Sequence, residues 1–177
     1  VKHEKKTHFF DGRMVQSHYQ LLNTLQLSYE EVEELVEPSL DYVDLLNSDP
    51  AVLRHHIKYP VDEEFHLPMT ALESKNDIVY KLLGLNDDFA KTAMYSTFRS
   101  DLTRSFVNNM RRGHVLINGN YETLLGNPVE MLYQAIGEFN GESVLGVGHV
   151  HTKRFPFNKV LLGCRSPHIN PGNILLT

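Results

Sequence analysis

The sequence predicts an α+β fold, with a helical region over residues 1–112 and a strand-rich region over residues 113–177. Up to Gly113 the apolar residues recur every three or four positions, as in amphipathic helices. Beyond Gly113 they form short runs broken by Gly, Asn and Pro, a pattern typical of strands and turns. Charge changes as well. Residues 1–91 hold nine Lys and Arg against seventeen Asp and Glu, a balance of −8, and residues 92–177 hold eight against five, a balance of +3.

The first helices are predicted from capping signals. Ser28 and Glu31 fit a capping box, in which each side chain bonds a backbone N–H of the other residue. A helix should therefore begin there, and Pro38 should end it because proline lacks the N–H that a helix interior needs. Ser39 is then expected to cap a second short helix. Residues 49–50, Asp-Pro, repeat the start signal for a third helix that ends near residue 59.

Two further helices are predicted in this half. After a connection over residues 61–68, a capping box over residues 70–73 should open a helix that Gly84 closes. Asn86 is expected to cap the longest helix of the chain, over about residues 87–112. The apolar stripe of this helix consists of Phe89, Ala93, Phe98, Leu102, Phe106 and Met110.

The strand-rich half is predicted from turn signals. Asn118-Gly119 adopts positive φ easily, which predicts a hairpin between strands at residues 114–117 and 121–125. Asn-Pro at residues 127–128 predicts a short helix over residues 129–136. Asn-Gly at residues 140–141 then predicts a turn. Further strands are expected at residues 144–150, at residues 159–164 and from residue 174 onward.

The class of protein follows from what the chain lacks. No apolar run approaches the roughly 20 residues that span a bilayer, and the first six residues, VKHEKK, lack a signal-peptide core. The single cysteine, Cys164, cannot form an internal disulfide, which indicates a reducing, cytoplasmic location. The chain begins at Val1 without Met and stops at Thr177 within an apolar run. We therefore expect a piece of a longer polypeptide, cut at its C-terminus.

Histidine and cysteine give weak indications of chemistry. His149 and His151 would share one face of a predicted strand, a pattern that also begins the metal site of amidohydrolase barrels. That site needs further ligands and a longer chain. Solvent-facing or phosphate-contacting imidazoles are the alternative interpretation. Cys164 lies in an apolar run without a helix start beside it, so we interpret it as a small core residue.

Cations in the second half predict contacts with phosphate. Arginines at one face of the longest predicted helix lie opposite its Phe stripe, and further cations are interleaved with aromatic residues beyond Thr152. This arrangement is typical of nucleic-acid interfaces. The alternative is a solvated helix face beside core aromatics. The candidate phosphate-binding residues are Arg104, Arg111, Lys153, Arg154, Lys159 and Arg165, with Phe155 and Phe157 between them.

The segment over residues 160–174 is the most informative part of the sequence. A predicted strand delivers Arg165 into a loop that two prolines make rigid, and Gly172 permits a tight turn before the next strand. It resembles a segment of the single-chain two-barrel RNA polymerases, which include the cellular RNA-dependent RNA polymerases of gene silencing and their phage relatives. That family has Arg-Asn-Pro, two residues and His-Pro-Gly-Asp between two strands. The matching residues are Arg165, Pro167, Pro171 and Gly172, and the departures are Ser166, Asn170 and Asn173.

The resemblance implies a fold and a role. The strand-rich half would resemble a double-psi β-barrel, possibly incomplete, facing a second barrel that holds Mg²⁺ on an Asp-rich loop. No Asp-x-Asp occurs in this chain, so no cofactor is expected here and Mg²⁺ is expected in the full-length protein. Lys159 and Arg165 would be the catalytic cations of a nucleotidyltransferase. Nucleic acid, nucleoside triphosphates and the remainder of the polypeptide would be the partners, and the fragment alone would be inactive.

Two other functions remain open from the sequence. The first is a non-catalytic interaction module, in which the acidic helical half binds a protein partner and the second half is structural. The second is a metal hydrolase that uses histidine ligands.

Overall fold

The structure is a computed structural model that describes residues 9, 10, 12–58, 74–165 and 171–177. The chain forms two compact units, residues 1–119 and residues 120–177. The predicted connection at 61–68 and the capping box at 70–73 lie outside the described residues. Among the helices that the structure describes, none is long and apolar enough to cross a membrane.

The first unit is built from helices and one short sheet. Strand β1 (Val15–Gln16) pairs antiparallel with β2 (Leu116–Ile117), so the sheet joins the two ends of the unit. Between these strands a 3₁₀ helix, Asp87–Lys91, precedes the last α-helix. The α-helices are α1 (Tyr19–Thr24), α2 (Tyr29–Ser48), α3 (Pro50–Lys58), α4 (Lys75–Leu85) and α5 (Ala93–Arg111).

One hydrophobic core holds the first unit together. Helices α2 to α5 each contribute side chains to it, and Phe9 and Leu116 add to it from outside the helices. Each fully buried side chain of this size stabilises the fold by about 1.5–3 kcal/mol relative to an exposed one. The buried helical members are Tyr42, Leu46, Leu53, Val79, Leu83, Tyr95, Phe98 and Phe106.

The predicted end of a helix at Pro38 is wrong. The Ser28–Glu31 capping box is present, but α2 continues through Pro38 to Ser48. Proline inside a helix costs about 3 kcal/mol. The buried side chains of the following turns, Tyr42 and Leu46, offset that cost. Ser39 is consequently a buried residue of α2 and not a cap.

The predicted helix over residues 87–112 is divided in two. The side chain of Asn86 caps the 3₁₀ helix by accepting a bond of 2.8 Å from the Asp88 N–H. Thr92 then caps α5, because its hydroxyl accepts from the Tyr95 N–H at 3.2 Å. Of the predicted apolar stripe, Phe98 and Phe106 are buried in the core and Leu102 packs against it, whereas Ala93 is exposed.

The predicted hairpin at Asn118-Gly119 is wrong as well. Strand β2 pairs with β1, about a hundred residues earlier in the chain, and residues 118–127 form no strand. Leu116 is buried against the helices, whereas residues 121–126 are exposed. Burial against the helical core therefore decides which segment pairs with β2.

The second unit has little regular structure. It contains α6 (Pro128–Ala135), β3 (Leu162–Cys164) and β4 (Ile174–Leu176), and β3 pairs antiparallel with β4. The helix predicted after residues 127–128 and the strands predicted near residues 159–164 and from residue 174 are therefore present. The strand predicted at 144–150 is absent. Gly148 has φ +79°, and the His149 N–H bonds the Gly146 carbonyl across a turn.

The structure contradicts the predicted strand-rich, barrel-like half. Of the described residues, 54% are helical, and their strands form two small antiparallel sheets of two strands each, without a barrel. A barrel needs inward-facing side chains on every strand. None of the described residues between 120 and 177 is buried, so the apolar runs there do not enclose an interior.

Candidate phosphate-binding site

The last 35 residues of the chain carry positive charge only. Residues 143–177, called the cationic segment below, contain two Lys and two Arg and no Asp or Glu. The four glutamates of the second unit all lie before it, between residues 122 and 142. Exposed cations without neighbouring carboxylates in sequence attract anions over about a Debye length.

A short hairpin holds both ends of the loop that begins with Arg165. Cys164 of β3 lies opposite Ile174 of β4 in the sheet. Backbone bonds extend the pairing in both directions, because Leu161 and Thr177 exchange two bonds of 2.9 Å and the Arg165 N–H donates to the Asn173 carbonyl at 2.9 Å. Residues 166–170 lie outside the described residues. The two ends of the loop are therefore fixed by a strand pair.

The Arg165 side chain is oriented without being neutralised. Its Nη2 donates to Oδ1 of Asn173 at 3.3 Å, and the residue is exposed. The resembled polymerases have Asp at the position of Asn173. An amide oxygen accepts the same hydrogen bond but carries no net charge, so this contact places no negative charge beside the guanidinium.

The other cations of the segment lie in the irregular backbone before β3. Lys153 and Lys159 are exposed, and Nζ of Lys159 lies 5.9 Å from the centre of the Phe155 ring, near the limit of a cation–π contact. Arg154 is partly buried, and its backbone N–H donates to the Thr152 hydroxyl at 3.1 Å.

Two glutamates outside the segment anchor it. Oε1 of Glu122 accepts a short bond from the Thr152 hydroxyl. Oε1 of Glu130, in the first turn of α6, accepts from the Ser143 hydroxyl at 2.6 Å and the Val144 N–H at 2.9 Å. Those two bonds, with one from Asn127, hold the pKa of the Glu130 carboxyl below its usual value. Sequence reasoning missed both glutamates, although Glu130 follows an Asn-Pro helix start where a carboxylate is favoured.

The remaining two predicted phosphate contacts belong to the first unit. Arg104 is exposed on α5, with Nη1 3.6 Å from Oδ1 of Asp101. Arg111 is exposed in the last turn of the same helix. Exposed ion pairs of this kind are worth at most about 1 kcal/mol, so the aspartate leaves Arg104 available to a stronger anion. The other four predicted cations lie in the second unit.

The histidine and cysteine interpretations change with the structure. His149 and His151 lie in irregular backbone and not on a strand, and the His151 ring stacks on Phe157. In the part of the chain that the structure describes, no three His, Cys, Asp or Glu residues are placed to hold a metal ion. Cys164 does lie on a strand, but it is exposed, so its interpretation as a core residue is wrong. Desolvation raises the pKa of its thiol, which lowers its reactivity.

The residues of the cationic segment do not fit a magnesium site, and a depression beside its first residues does not suit phosphate. Proteins hold Mg²⁺ largely through carboxylates, and residues 143–177 contain none, so they do not fit a magnesium site. A depression of about 310 Å³ lies between the end of α6 and the following turn. Its charged lining residues are Glu138 and Glu142, which would repel phosphate.

No known protein-family model, curated protein or solved structure matches the chain. Function has to be inferred from the chain's own residues.

Proposed function

We propose that this chain is part of a single-chain, templated RNA polymerase, and that its cationic segment contacts the phosphates of the template or of the incoming nucleoside triphosphate. The observation that carries the proposal is the position of Arg165. Arg165 directly follows β3, where the hairpin pairing ends, and its side chain donates a hydrogen bond to the neutral side chain of Asn173. The resemblance to the polymerase segment supports the same placement, because there too an Arg follows the first strand.

Electrostatics favours phosphate over other anions at this surface. Lys153, Lys159 and Arg165 are exposed, so each can reach a separate phosphate without losing much hydration. A polynucleotide offers one charge per nucleotide along an extended chain. A single carboxylate ligand would satisfy only one of the cations. Several cations on one carboxylate-free segment therefore suit a polyanion best.

Lys159 and Arg165 are assigned an electrostatic role. In phosphoryl transfer, cations stabilise the charge that grows on the transferring group, and they do so without proton transfer. Mg²⁺ would come from the remainder of the polypeptide. The chain described here would bind nucleic acid but not extend it, and its location would be intracellular. In the full-length protein, alanine at both positions should reduce the extension rate sharply.

The salt dependence of binding tests the proposal on the chain itself. Each phosphate neutralised on a single strand contributes about −0.7 to the slope of log K against log salt concentration. The four cations of the cationic segment therefore predict a slope of about −3. Lys159→Ala with Arg165→Ala should make the slope shallower by about 1.4. The matched control is Lys75→Ala with Lys91→Ala, which removes two lysines already paired with carboxylates at 3.8 and 2.7 Å. Equal slopes for the two double variants would contradict the assignment.

A non-catalytic interaction module is the second candidate, and the surface of α2 favours it. This helix carries seven acidic side chains, all exposed, and no Lys or Arg. Such a face suits a basic partner. Glu33→Gln with Glu37→Gln should then weaken binding of a basic protein and leave polynucleotide binding unchanged. A chain that shows no salt-dependent polynucleotide binding would favour this candidate over the polymerase.

A further inference from the structure

Two aromatic rings of the cationic segment are stacked at the surface. The rings of His151 and Phe157 have centres 5.6 Å apart and planes 24° apart. Phe157 is nevertheless 84% exposed. One face of the phenyl ring contacts the imidazole, so the opposite face is open to solvent. A planar base that covered this open face would remove apolar ring surface from water.

The turn that carries this stack is fixed by specific bonds. The Thr152 hydroxyl, one residue after His151, donates to Glu122 and accepts from the Arg154 N–H. Asn158, directly after Phe157, has φ +61°, a left-handed conformation that Asn adopts more readily than most residues. The described bonds therefore hold the chain on the His151 side of the stack, and Phe157 itself lies in a turn with Asn158.

The charges beside the stack favour a polynucleotide. Lys153 lies two residues after His151, and Lys159 lies two residues after Phe157. Both are exposed, and the cationic segment itself contains no Asp or Glu, although the Glu122 carboxylate contacts it at Thr152. Proteins that bind single strands without sequence preference combine a cationic surface with aromatic rings on which bases stack. Bases in a duplex already stack on their neighbours and cannot cover a protein ring.

We propose that an unpaired base stacks on the open face of Phe157, while Lys153 and Lys159 contact the adjoining phosphates. The ligand class is therefore single-stranded nucleic acid, a template strand before it is copied. This inference rests on the proposed function, because the stacked base would belong to the same polynucleotide whose phosphates the cationic segment contacts. It requires no sequence preference, since every base offers a π face.

Truncation of the ring should separate base contact from phosphate contact. We expect Phe157→Ala to weaken binding of the chain to a single-stranded 12-mer RNA about tenfold, the effect typical of one lost stacking contact. The salt slope and the affinity for the matching duplex should stay as in the wild type. The control is Leu125→Ala, which truncates an apolar residue that is 83% exposed in the same unit. It should leave both affinities unchanged.

A second variant reports stacking directly. The chain has no Trp, so Phe157→Trp introduces one fluorophore at the proposed contact. Single-stranded RNA should quench its emission strongly, and duplex RNA should not. Full single-strand affinity in Phe157→Trp would add support, because indole stacks at least as well as phenyl.

Three results would overturn the inference. They are unchanged single-strand affinity in Phe157→Ala, equal weakening toward the duplex, or full affinity in Phe157→Leu, which keeps apolar area but has no ring. If the wild type binds RNA with the expected salt slope and any of these results is found, the stacking contact fails and the phosphate contacts stand. If no salt-dependent binding is found at all, the proposed function itself fails.

Discussion

A buried serine joins the longest helix of the first unit to its sheet. Ser39 of α2 is fully buried, and its Oγ accepts a hydrogen bond of 2.8 Å from the backbone N–H of Leu116 in β2. The neighbouring Ser17 N–H bonds the Val115 carbonyl across the sheet. The backbone groups of Val115 therefore face β1. Because successive residues of a strand direct their N–H groups to opposite sides, the Leu116 N–H points away from β1 and donates to Ser39.

Replacing Ser39 with alanine should destabilise the first unit by about 1–3 kcal/mol, the cost of leaving a buried N–H without an acceptor. Alanine is the better helix former by up to about 0.7 kcal/mol, which masks part of that cost. Ser48→Ala provides the correction, because Ser48 belongs to the same helix and is exposed. Its hydroxyl donates to the Asp44 carbonyl at 2.7 Å, a bond that water can replace.

Urea unfolding followed by far-ultraviolet circular dichroism measures the difference between the two variants. Most of the described helix lies in the first unit, so the signal reports that unit. Ser39→Ala should be less stable than Ser48→Ala by about 1–3 kcal/mol, with an unchanged m-value. Equal stability of the two variants would refute the reasoning, because the Leu116 N–H would then have another acceptor.

Two further variants test contacts elsewhere in the chain. The Tyr42 hydroxyl bonds Nδ1 of His56 at 3.1 Å in the core, and burial raises the pKa of this tyrosine. Tyr42→Phe should therefore cost about 0.5–1.5 kcal/mol in the same urea assay, and a loss above about 3 kcal/mol would mean that the ring itself has moved. In the second unit, Glu130→Ala should speed amide exchange at Val144. Because the pKa of Glu130 is lowered from 4.5, protection of this amide should be complete above that pH and be lost as the pH falls through the lower, folded value. Protection that does not change with pH would contradict the role of Glu130.

Local signals predicted the beginnings of α2, α3 and α6, but not those of α1, α4 and α5, and Ser39 caps no helix. The Ser28–Glu31 capping box is present, and so is the start at Pro50, because a cap is formed by residues within one turn of one another. Pro38 shows the limit of local rules. Its cost is local, but the burial of Tyr42 that offsets it depends on helices elsewhere in the chain.

Pairing between distant segments was not predictable from local patterns. Asn118-Gly119 is a strong hairpin signal, yet β2 pairs with β1, because a buried place beside the helices outweighs a favourable turn. Of the three apolar runs after residue 143 that predicted strands, two contain β3 and β4, and the run at residues 144–150 forms no strand. An apolar run indicates a preference for burial but does not say what buries it, and the described residues of the second unit are not buried.

The candidate site was predicted in part. The strand before Arg165 and the strand from Ile174 follow from apolar runs around a Pro- and Gly-containing loop. The hydrogen bond from Arg165 to Asn173 depends on the register of the hairpin, which could not be predicted from the sequence. The contacts from Glu130 to Ser143 and Val144 span 13 and 14 residues, so no helical or strand period could reveal them.

The central claim is that Lys159 and Arg165 lie beside phosphate when the ligand is bound. A nuclear magnetic resonance titration of the isotope-labelled chain with inorganic triphosphate tests it most directly. The largest chemical-shift changes are expected on the side chains of Arg165, Lys159 and Lys153, and the signals of the acidic helix α2 are expected to stay unchanged. The claim would be contradicted if the largest changes fell on residues 1–119. It would also be contradicted if triphosphate changed the remaining signals of the Lys159→Ala/Arg165→Ala variant as much as those of the wild type.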